Sequence, residues 1–539
     1  MSPKSEVAIG VSHGGTEQSH AHNGQGTSTD PFIVEFNRDD PENPMNWSAS
    51  RKWFIAFIVT SSVFAVTFTS SAYSDSSDEI IKDFNISTEV FSVGISLFIL
   101  GFAVGPAVWA PLLPSPIIYL PCINISSDIR SELYGRKIFW IISHIGMVAF
   151  IGGTAGSRNI TTLLVLRFFS GTFGGSPLVN AGGAIADIFP PVQRGLAMIV
   201  YSFAPLLGPL VGPIISGFVS ENVGWRWVQG MCCIFVGVIG IIGTIFVPET
   251  YGPVLLLRKA KRLSKSTGKV HVSILERGQG KKKPSEVFQR ALIRPWVLLM
   301  HEPIVTVASI YIALCYGTTY MFMGVMPIVY NEDRGWSEGI GGLAFLGLAI
   351  GEILGLVYAG YDYHRRYMKL YNTGKATPES RLPTAIVGSI ALPIGIFGFA
   401  WTNFPSIHWS ASIILSAPFG FGCILTSLSI TNYLVDSYTI YAATALAALA
   451  IVRSTGGAVF PLFTNQMYHN LGIHWASCVP GFLTVACIPF PIVMYRYGEV
   501  LRMKCKYTFE AADLMRRMQK QQGFGQVESG ERVDEEESA

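Results

Sequence analysis

Twelve apolar stretches of about twenty residues each constrain the fold of this chain more than any other feature. They lie at about 53–73, 90–112, 138–156, 162–184, 196–219, 226–247, 303–329, 339–360, 383–402, 407–430, 443–466 and 475–495. A helix of roughly 20 apolar residues crosses the hydrocarbon core of a bilayer. Hydrophobic residues make up 50% of the chain and charged residues only 14%, which is unlike a soluble domain. The sequence therefore predicts an all-α polytopic membrane protein with twelve transmembrane helices, numbered here as spans 1 to 12.

A basic segment separates the first six spans from the last six. Residues 249–300 hold twelve lysines and arginines against three glutamates. Lysine and arginine accumulate in the cytoplasmic loops of membrane proteins, and most other basic clusters of this chain flank the spans on the same side as this segment. The loop between spans 1 and 2, on the opposite side, is acidic. We therefore expect both termini to be cytoplasmic.

These features divide the chain into five parts. The predicted parts are a disordered cytoplasmic N-tail (1–50), a first six-helix half (51–248), a basic cytoplasmic central loop (249–300), a second six-helix half (301–497) and a cytoplasmic C-tail (498–539). Two six-helix halves joined in this way are typical of transporters whose halves rock around a site near the bilayer midplane. The fold does not identify the cargo.

Span 5 contains two stripes of residues at four-residue spacing. The members are Pro205, Pro209 and Pro213 for the first stripe and Gly208, Gly212 and Ser216 for the second. Residues four apart share a helical face. Small residues on one face let another helix approach backbone to backbone, so the second stripe predicts a closely packed neighbour.

Three ionisable side chains lie inside predicted spans, where a charge is costly and is usually functional. Arg167 in span 4 can hold a carboxylate or influence a proton site. Glu352 in span 8 is a candidate proton-binding group, because burial favours the neutral form of a carboxyl group. Arg453 in span 11 is a candidate partner of Glu352. A structural ion pair or a hydrogen-bonded buried group is the alternative for each of them.

Tyrosines in spans 5 and 7 are candidates for lining a binding pocket. Tyr201, Tyr316 and Tyr320, together with Arg453, offer apolar area and polar tips. Pockets for planar organic molecules or amphipathic cations are lined in this way. Packing against lipid or neighbouring helices is the alternative.

Several motifs of enzymes and ATP-driven pumps are absent from the sequence. It contains no Gly-x-x-x-x-Gly-Lys-Ser/Thr phosphate loop and no His-Glu-x-x-His pair, which are the local signatures of those chemistries. The pattern Gly-x-Ser-x-Gly occurs at residues 10–14 and 335–339, but both matches lie in polar segments without the strand-to-helix context of a nucleophile turn. The eight cysteines show no metal-ligand spacing. We therefore expect no enzymatic activity, no metal and no cofactor, and an ion gradient remains as the energy source.

Six short motifs occur in a combination that is typical of one transporter group. They are Asn43-Pro44-Met45-Asn46-Trp47-Ser48, Arg167 with Gly171, Gly208-Pro209-x-x-Gly212-Pro213-x-x-x-Gly217, Trp225-Arg226-Trp227, Pro248-Glu249-Thr250-Tyr251, and Pro378-Glu379-x-Arg381-Leu382. Together they resemble the fungal twelve-span drug:H⁺ antiporters of the major facilitator superfamily. That group usually has glycine where Ser216 stands, and serine keeps the stripe small.

The resemblance implies a proton-coupled exporter of drugs, polyamines or a secondary metabolite that works by alternating access. The site residues are then Arg167 and Glu352 for proton coupling, Gly208, Pro209, Gly212, Pro213 and Gly217 for the antiporter motif, and Glu132, Gly135, Arg136 and Lys137 for a cytoplasmic gate. The implied partners are a small organic substrate, protons and the lipid bilayer, without nucleic acid, for a monomeric chain. Uptake of a nutrient or siderophore by H⁺ symport is one alternative function, and a non-transporting membrane sensor is another.

The expected location is the plasma membrane, with the vacuolar membrane as the alternative. Asn85 precedes Ile86 and Ser87 in the acidic loop between spans 1 and 2. This is an acceptor sequence for glycosylation, and the predicted orientation places it outside the cell.

The loop between spans 2 and 3 contains a segment that the family motif lacks. Removing residues 113–130 joins Leu112 to Ser131 and restores Trp-Ala-Pro-Leu-Ser-Glu-Leu-Tyr-Gly-Arg-Lys without a seam. We expect these 18 residues, encoded by 54 nucleotides, to be a retained intron in the gene sequence. The alternative is a real insertion that loosens the gate and lowers activity.

Sequencing the transcript tests this hypothesis. We expect the abundant mRNA to lack the 54 nucleotides of residues 113–130. An abundant mRNA that carries them as coding sequence would show that the segment is a true insertion.

Overall fold

Long helices dominate the computed structural model, as the apolar stretches predict. The structure describes residues 26–27, 30–36, 39–112, 135–273, 284–404, 406–505 and 507–509. The suspected insert at 113–130 and the gate residue Glu132 lie outside the described residues.

The first ten spans follow one another with boundaries close to the apolar stretches. Their helices are Ala49–Ser71 (span 1), Thr88–Leu112 (span 2), Arg136–Ala155 (span 3), Ile160–Ile188 (span 4), Pro191–Val223 (span 5), Trp225–Phe246 (span 6), Pro303–Met326 (span 7), Leu346–Asp362 (span 8), Leu382–Trp401 (span 9) and Trp409–Tyr438 (span 10). Short helices Ser77–Phe84 and Glu338–Gly342 lie after span 1 and before span 8. We call their face of the protein the acidic side, and the face that carries the central loop the basic side.

Spans 11 and 12 form one helical run that is broken at a single glycine. The run Ala442–Cys487 contains Gly472, whose φ of 74° and ψ of 161° are not helical. The hydroxyls of Tyr468 and Ser477 lie 2.8 Å apart across the break, so the chain reverses there. The apolar segment Thr444–Lys504 contains the break and is 61 residues long. It would measure about 90 Å as one helix and supplies two crossings. With the ten earlier spans it confirms the prediction of an all-α fold with twelve spans.

A small unit on the basic side joins the N-terminal segment to the central loop. Strand β1, Phe32–Val34, pairs in parallel with strand β2, His271–Ser273. The helix Gly252–Thr267 packs against both strands, and Val34, Leu256 and Ala260 form a shared apolar core.

Ion pairs hold the same unit to the segment that precedes span 1. Asp40 pairs with Lys259, and Glu42 lies 2.6 Å from Arg262. The pair of Asp40 is largely shielded from solvent, whereas that of Glu42 is open to water and contributes little. Residues 30–36 and 39–50, which fall within the predicted disordered tail, therefore form part of the described structure.

A buried carboxylate before span 7 anchors the segment that follows span 12. Glu302 is fully buried, and its carboxylate accepts hydrogen bonds from the Tyr438 hydroxyl at 2.8 Å and from the Tyr507 backbone at 3.0 Å. Burial, together with the charge of Glu302, raises the pKa of the Cys505 thiol to about 12. The thiol is therefore neutral at physiological pH and is a poor nucleophile.

Glycines bring spans 8 and 10 into backbone contact within the second half. A Cβ atom at Gly351 would lie 1.9 Å from the carbonyl oxygen of Ala417, and one at Gly420 would lie 2.2 Å from that of Leu348. A real Cβ does not fit at these distances, so the two helices pack through their glycines. This packing positions Glu352, the residue after Gly351, at the same interface.

The packing predicts a difference between two identical substitutions in span 8. Gly351→Ala should destabilise the protein by about 1–3 kcal/mol, because the new methyl group forces the helices apart. Gly360→Ala is the matched control, since nothing lies within 4 Å of a Cβ at that position. Thermal unfolding of the purified variants in detergent measures both effects. Equal melting temperatures for the two variants would contradict the close packing of spans 8 and 10.

Candidate functional site

Spans 5 and 8 hold the two halves together near both faces of the protein. On the acidic side, a Cβ atom at Gly217 would lie 2.6 Å from the carbonyl oxygen of Glu338. On the basic side, a Cβ atom at Gly195 would lie 2.3 Å from the hydroxyl oxygen of Tyr363. The halves are therefore in close contact at both ends of these two spans.

The rest of the antiporter motif packs within the first half. A Cβ atom at Gly208 would lie 2.1 Å from the Thr67 hydroxyl, and one at Gly212 would lie 2.0 Å from the Ser71 hydroxyl, both in span 1. The Thr67 hydroxyl donates to the carbonyl oxygen of Ala204 at 3.1 Å. The closely packed neighbour that the small stripe predicts is therefore span 1.

The prolines of the motif lie inside an unbroken helix. Pro209 and Pro213 both fall within span 5. The backbone of Pro213 faces the second half, because a Cβ atom at Gly342 would lie 2.6 Å from its carbonyl oxygen. A proline leaves the carbonyl four residues earlier without its helical donor, so the carbonyls of Pro205 and Pro209 lack their helical partners in span 5.

A chain of hydroxyl groups joins the two halves between their faces. The hydroxyl of Ser70 in span 1 lies 2.7 Å from that of Tyr320 in span 7. The Tyr320 hydroxyl lies 3.5 Å from that of Tyr316, and the two rings are 5.0 Å apart. Both tyrosines are buried. The structure thus brings two of the predicted pocket residues together and attaches them to the opposite half through Ser70.

Arg167 meets the other end of this chain. Its Nε donates to the carbonyl oxygen of Gly94 at 2.7 Å, and its Nη2 donates to the carbonyl oxygen of Ser70 at 3.2 Å. The guanidinium group lies 4.0 Å from the ring centre of Tyr73 and 5.0 Å from that of Phe98. Within the described chain it has no ion pair with a carboxylate, so carbonyl oxygens and aromatic faces stabilise the buried charge.

Arg453 lies at the far end, in the second half. Its guanidinium carbon is 4.9 Å from the ring centre of Tyr316. Its Nε is buried and has no hydrogen-bond acceptor among the described residues. Gly457, one turn along span 11, packs against Tyr316 and against Ile99 of span 2. Arg453 therefore belongs to the surface where the halves meet.

Glu352 is buried at a different place, between spans 8 and 10. Its Oε2 atom has no hydrogen-bond partner in the described part of the chain. The expected pairing of Glu352 with Arg453 is wrong for this structure, because neither side chain has an ion pair among the described residues. Cys423 of span 10 is within electrostatic range of both side chains.

Tyr201 lies in span 5 and is attached to its own half. Its hydroxyl donates to the carbonyl oxygen of Leu178 at 2.7 Å.

Near the basic side, a cavity between Ile199 of span 5 and Ala359 of span 8 has a volume of about 30 Å³. That volume has room for water and is too small for an organic ligand.

The predicted gate residues form a junction on the basic side. Arg136 pairs with Asp187 at the end of span 4, with 2.7 Å between Nε and Oδ2. The carboxylate of Glu249 accepts hydrogen bonds from the backbone N–H groups of Arg136 at 3.0 Å and Lys137 at 3.2 Å. A Cβ atom at Gly135 would lie 1.6 Å from the same carboxylate, so a larger residue at this helix start would displace Glu249 from its hydrogen bonds.

The second half contains a matching junction. Arg381, before span 9, lies 2.9 Å from Asp436 at the end of span 10. Glu379 lies 2.7 Å from Arg502 at the end of span 12. The start of span 3 and the segment before span 9 are therefore each bonded to two other parts of their own half.

Sequence reasoning did not assign a role to Asp75. This carboxylate follows span 1 and is buried, and the Ser216 hydroxyl donates to it at 2.8 Å. The available signal was the serine in place of the usual glycine, because a hydroxyl on a small stripe offers a hydrogen bond that glycine lacks. Ser216 thus links span 5 to the acidic side.

Comparisons with known proteins agree with this architecture. The Major Facilitator Superfamily profile matches residues 53–461. The Major facilitator-type transporter sorT of Penicillium rubens is 69% identical over 512 residues, which cover 95% of each chain. The MFS-type efflux pump MFS2 of Trichophyton rubrum is 52% identical, over 93% of this chain and 81% of that protein.

A solved structure has the same fold. The proton:xylose symporter XylE bound to 6-bromo-6-deoxy-D-glucose superposes with a TM-score of 0.57 at 14% sequence identity, over 84% of this chain and 96% of that one. Together with the profile match, these similarities show that the chain is a polytopic membrane transporter that belongs to the major facilitator superfamily.

Proposed function

We propose that this chain is a proton-coupled exporter of organic molecules that works by alternating access. The observation that carries the proposal is the double role of Ser70, whose carbonyl binds Arg167 of the first half while its hydroxyl contacts Tyr320 of the second. A change of charge near Arg167 therefore acts on a contact between the halves. The relative from Trichophyton rubrum is named an efflux pump, which favours export over uptake.

Alternating access requires the contacts at the two ends to break in turn. The contact of Gly195 with Tyr363 must open to admit substrate from the basic side, and the contact of Gly217 with Glu338 must open to release it on the acidic side. The hydroxyl pair of Ser70 and Tyr320 lies between them and opens with either movement. Each contact is a van der Waals or hydroxyl contact worth about 1 kcal/mol, which suits a reversible movement.

Glu352 is the proposed proton-binding carboxyl group. It is buried, and no cation compensates its charge among the described residues, so it is most stable with a proton bound. Its backbone lies against Gly420 of span 10, and a movement of spans 8 and 10 changes its surroundings directly. Arg167, which is also buried, would sense the proton through the electrostatics of the closed interior.

The proposed orientation places the basic side in the cytoplasm of the cell and the transporter in the plasma membrane. The basic central loop and the lysine and arginine residues near the helix ends support this orientation. Asn85 lies exposed on the acidic side at the end of a short helix, with a φ of 49°. It would then be an extracellular glycosylation site.

Replacement of Glu352 tests the role of the carboxyl group. Glu352→Gln keeps the shape of the side chain and cannot release a proton, so it should abolish export driven by a pH gradient and preserve exchange of substrate across the membrane without a gradient. Proteoliposomes loaded with fluorescein or rhodamine 6G measure both activities. Export by the variant that still follows the pH gradient would exclude Glu352 as the proton site.

Replacement of Arg167 tests the coupling between the halves. Arg167→Lys keeps the positive charge but loses the planar guanidinium group that binds the carbonyls of Gly94 and Ser70. Arg167→Ala loses both the charge and these hydrogen bonds. We expect gradient-driven export to fall in the first variant and to disappear in the second, with unchanged amounts at the cell surface. Arg158→Ala is the matched control, since this arginine is exposed. Normal gradient dependence in Arg167→Ala would remove the assigned role, and dye movement in the direction of the protons would favour symport.

A further inference from the structure

The surface between the halves carries two buried or partly buried positive charges. One is Arg167 in the first half, and the other is Arg453 in the second. Neither guanidinium group has a carboxylate partner among the described residues. An uncompensated charge in a low-dielectric interior attracts ligands of the opposite sign.

We propose that the transport site selects planar aromatic organic anions, with Arg453 as the residue that determines specificity. The inference rests on the proposed export function and names the substrate class of the same site. The anionic group of the substrate binds the Arg453 guanidinium, whose buried Nε still lacks an acceptor. The aromatic part packs on Tyr316, whose ring lies 4.9 Å from that guanidinium.

The described groups around Arg453 are tyrosines and a cysteine, and no carboxylate forms an ion pair with it among the described residues. The side chains that interact with it electrostatically are Tyr201 of span 5, Tyr316 and Tyr320 of span 7, and Cys423 of span 10. Tyrosine and cysteine are neutral near pH 7 unless their environment favours the anion. Glu352, a buried carboxyl group of the second half, has no ion pair with Arg453 among the described residues. The site therefore repels cations and leaves an anion as the matching charge.

The geometry favours an acid carried on a flat ring system. A guanidinium group binds carboxylates and acidic phenols through parallel N–H donors. The hydroxyls of Tyr316, Tyr320 and Ser70 form a short polar line beside the rings, which can contact oxygen substituents of the substrate. Among the predicted cargo classes, the polyamines are disfavoured, because they carry positive charges only.

The charge balance of such an exchange is favourable. An organic anion that leaves the cell while a proton enters moves two positive charges inward, so an inside-negative membrane potential drives the exchange in addition to the pH gradient. The proton is released unchanged on the other side, and no covalent bond of the substrate is made or broken. Export of an anion should therefore respond to membrane potential at constant pH.

A pair of dyes with the same ring system and opposite charge tests the proposal. Fluorescein is an anion at neutral pH, and rhodamine 6G is a cation. The full-length protein is reconstituted in vesicles of phosphatidylcholine and ergosterol, and the initial rate for each dye is measured under a pH gradient. We expect the wild type to transport fluorescein faster. Arg453→Gln should lower the fluorescein rate roughly 10- to 100-fold, and Arg453→Lys should lie between them.

Controls separate the site from folding and from the general function. Arg496→Gln removes an exposed arginine at the end of span 12 and should leave both rates unchanged. Gel filtration and thermal unfolding check that Arg453→Gln is folded. If it is not, the transport rates of Arg453→Lys are compared with those of the wild type instead. Proton-driven transport of rhodamine 6G in preference to fluorescein, or an unchanged ratio of rates in Arg453→Gln, would overturn the inference and leave the proposed function intact. Absence of gradient-driven transport of both dyes would overturn both.

Discussion

The close contacts of span 5 are the constraint on which the rest of the structure depends. Gly208 and Gly212 fix its distance from span 1, and Gly217 fixes its distance from the second half. One helix therefore sets the spacing within a half and between the halves. A Cβ atom does not fit at any of these three positions. A rocking movement therefore changes the contact of Gly217 with the second half while the contacts of span 5 with span 1 are kept.

The spans could be predicted from sequence because the bilayer imposes a direct length requirement on each helix. The small unit on the basic side could not. Strands β1 and β2 have three residues each and are more than two hundred residues apart in the chain, so neither shows a period that indicates a strand. The reversal near Gly472 falls between the two last apolar stretches, where a break was expected.

The residues of the candidate site were recognised as single side chains, and their connection was not. Arg167, Tyr316, Tyr320 and Arg453 stand out because charges and tyrosines are conspicuous within apolar spans. Ser70, which links them, is one of many hydroxyl residues in the spans and carries no signal of its own. The candidate pairing of Glu352 with Arg453 is absent because charge complementarity in sequence contains no information on the helix faces: Glu352 lies where spans 8 and 10 pack, whereas Arg453 lies beside Tyr316 of span 7.

The charged junctions on the basic side explain how the halves move as units. Each loop arginine binds the aspartate that ends a span of its own half, as Arg136 does with Asp187 and Arg381 with Asp436. The third member of each junction has the opposite charge in the two halves. It is Glu249, after span 6, in the first half and Arg502, at the end of span 12, in the second. These largely buried, charge-assisted hydrogen bonds are stronger than neutral ones. The described contacts between the halves include close glycine packing, the hydroxyl pair of Ser70 and Tyr320, and a hydrogen bond from the Gly339 N–H to the Glu221 carboxylate at 3.0 Å. No ion pair among the described residues joins the two halves, so the halves can separate while each keeps the charged junctions that hold its own helices together.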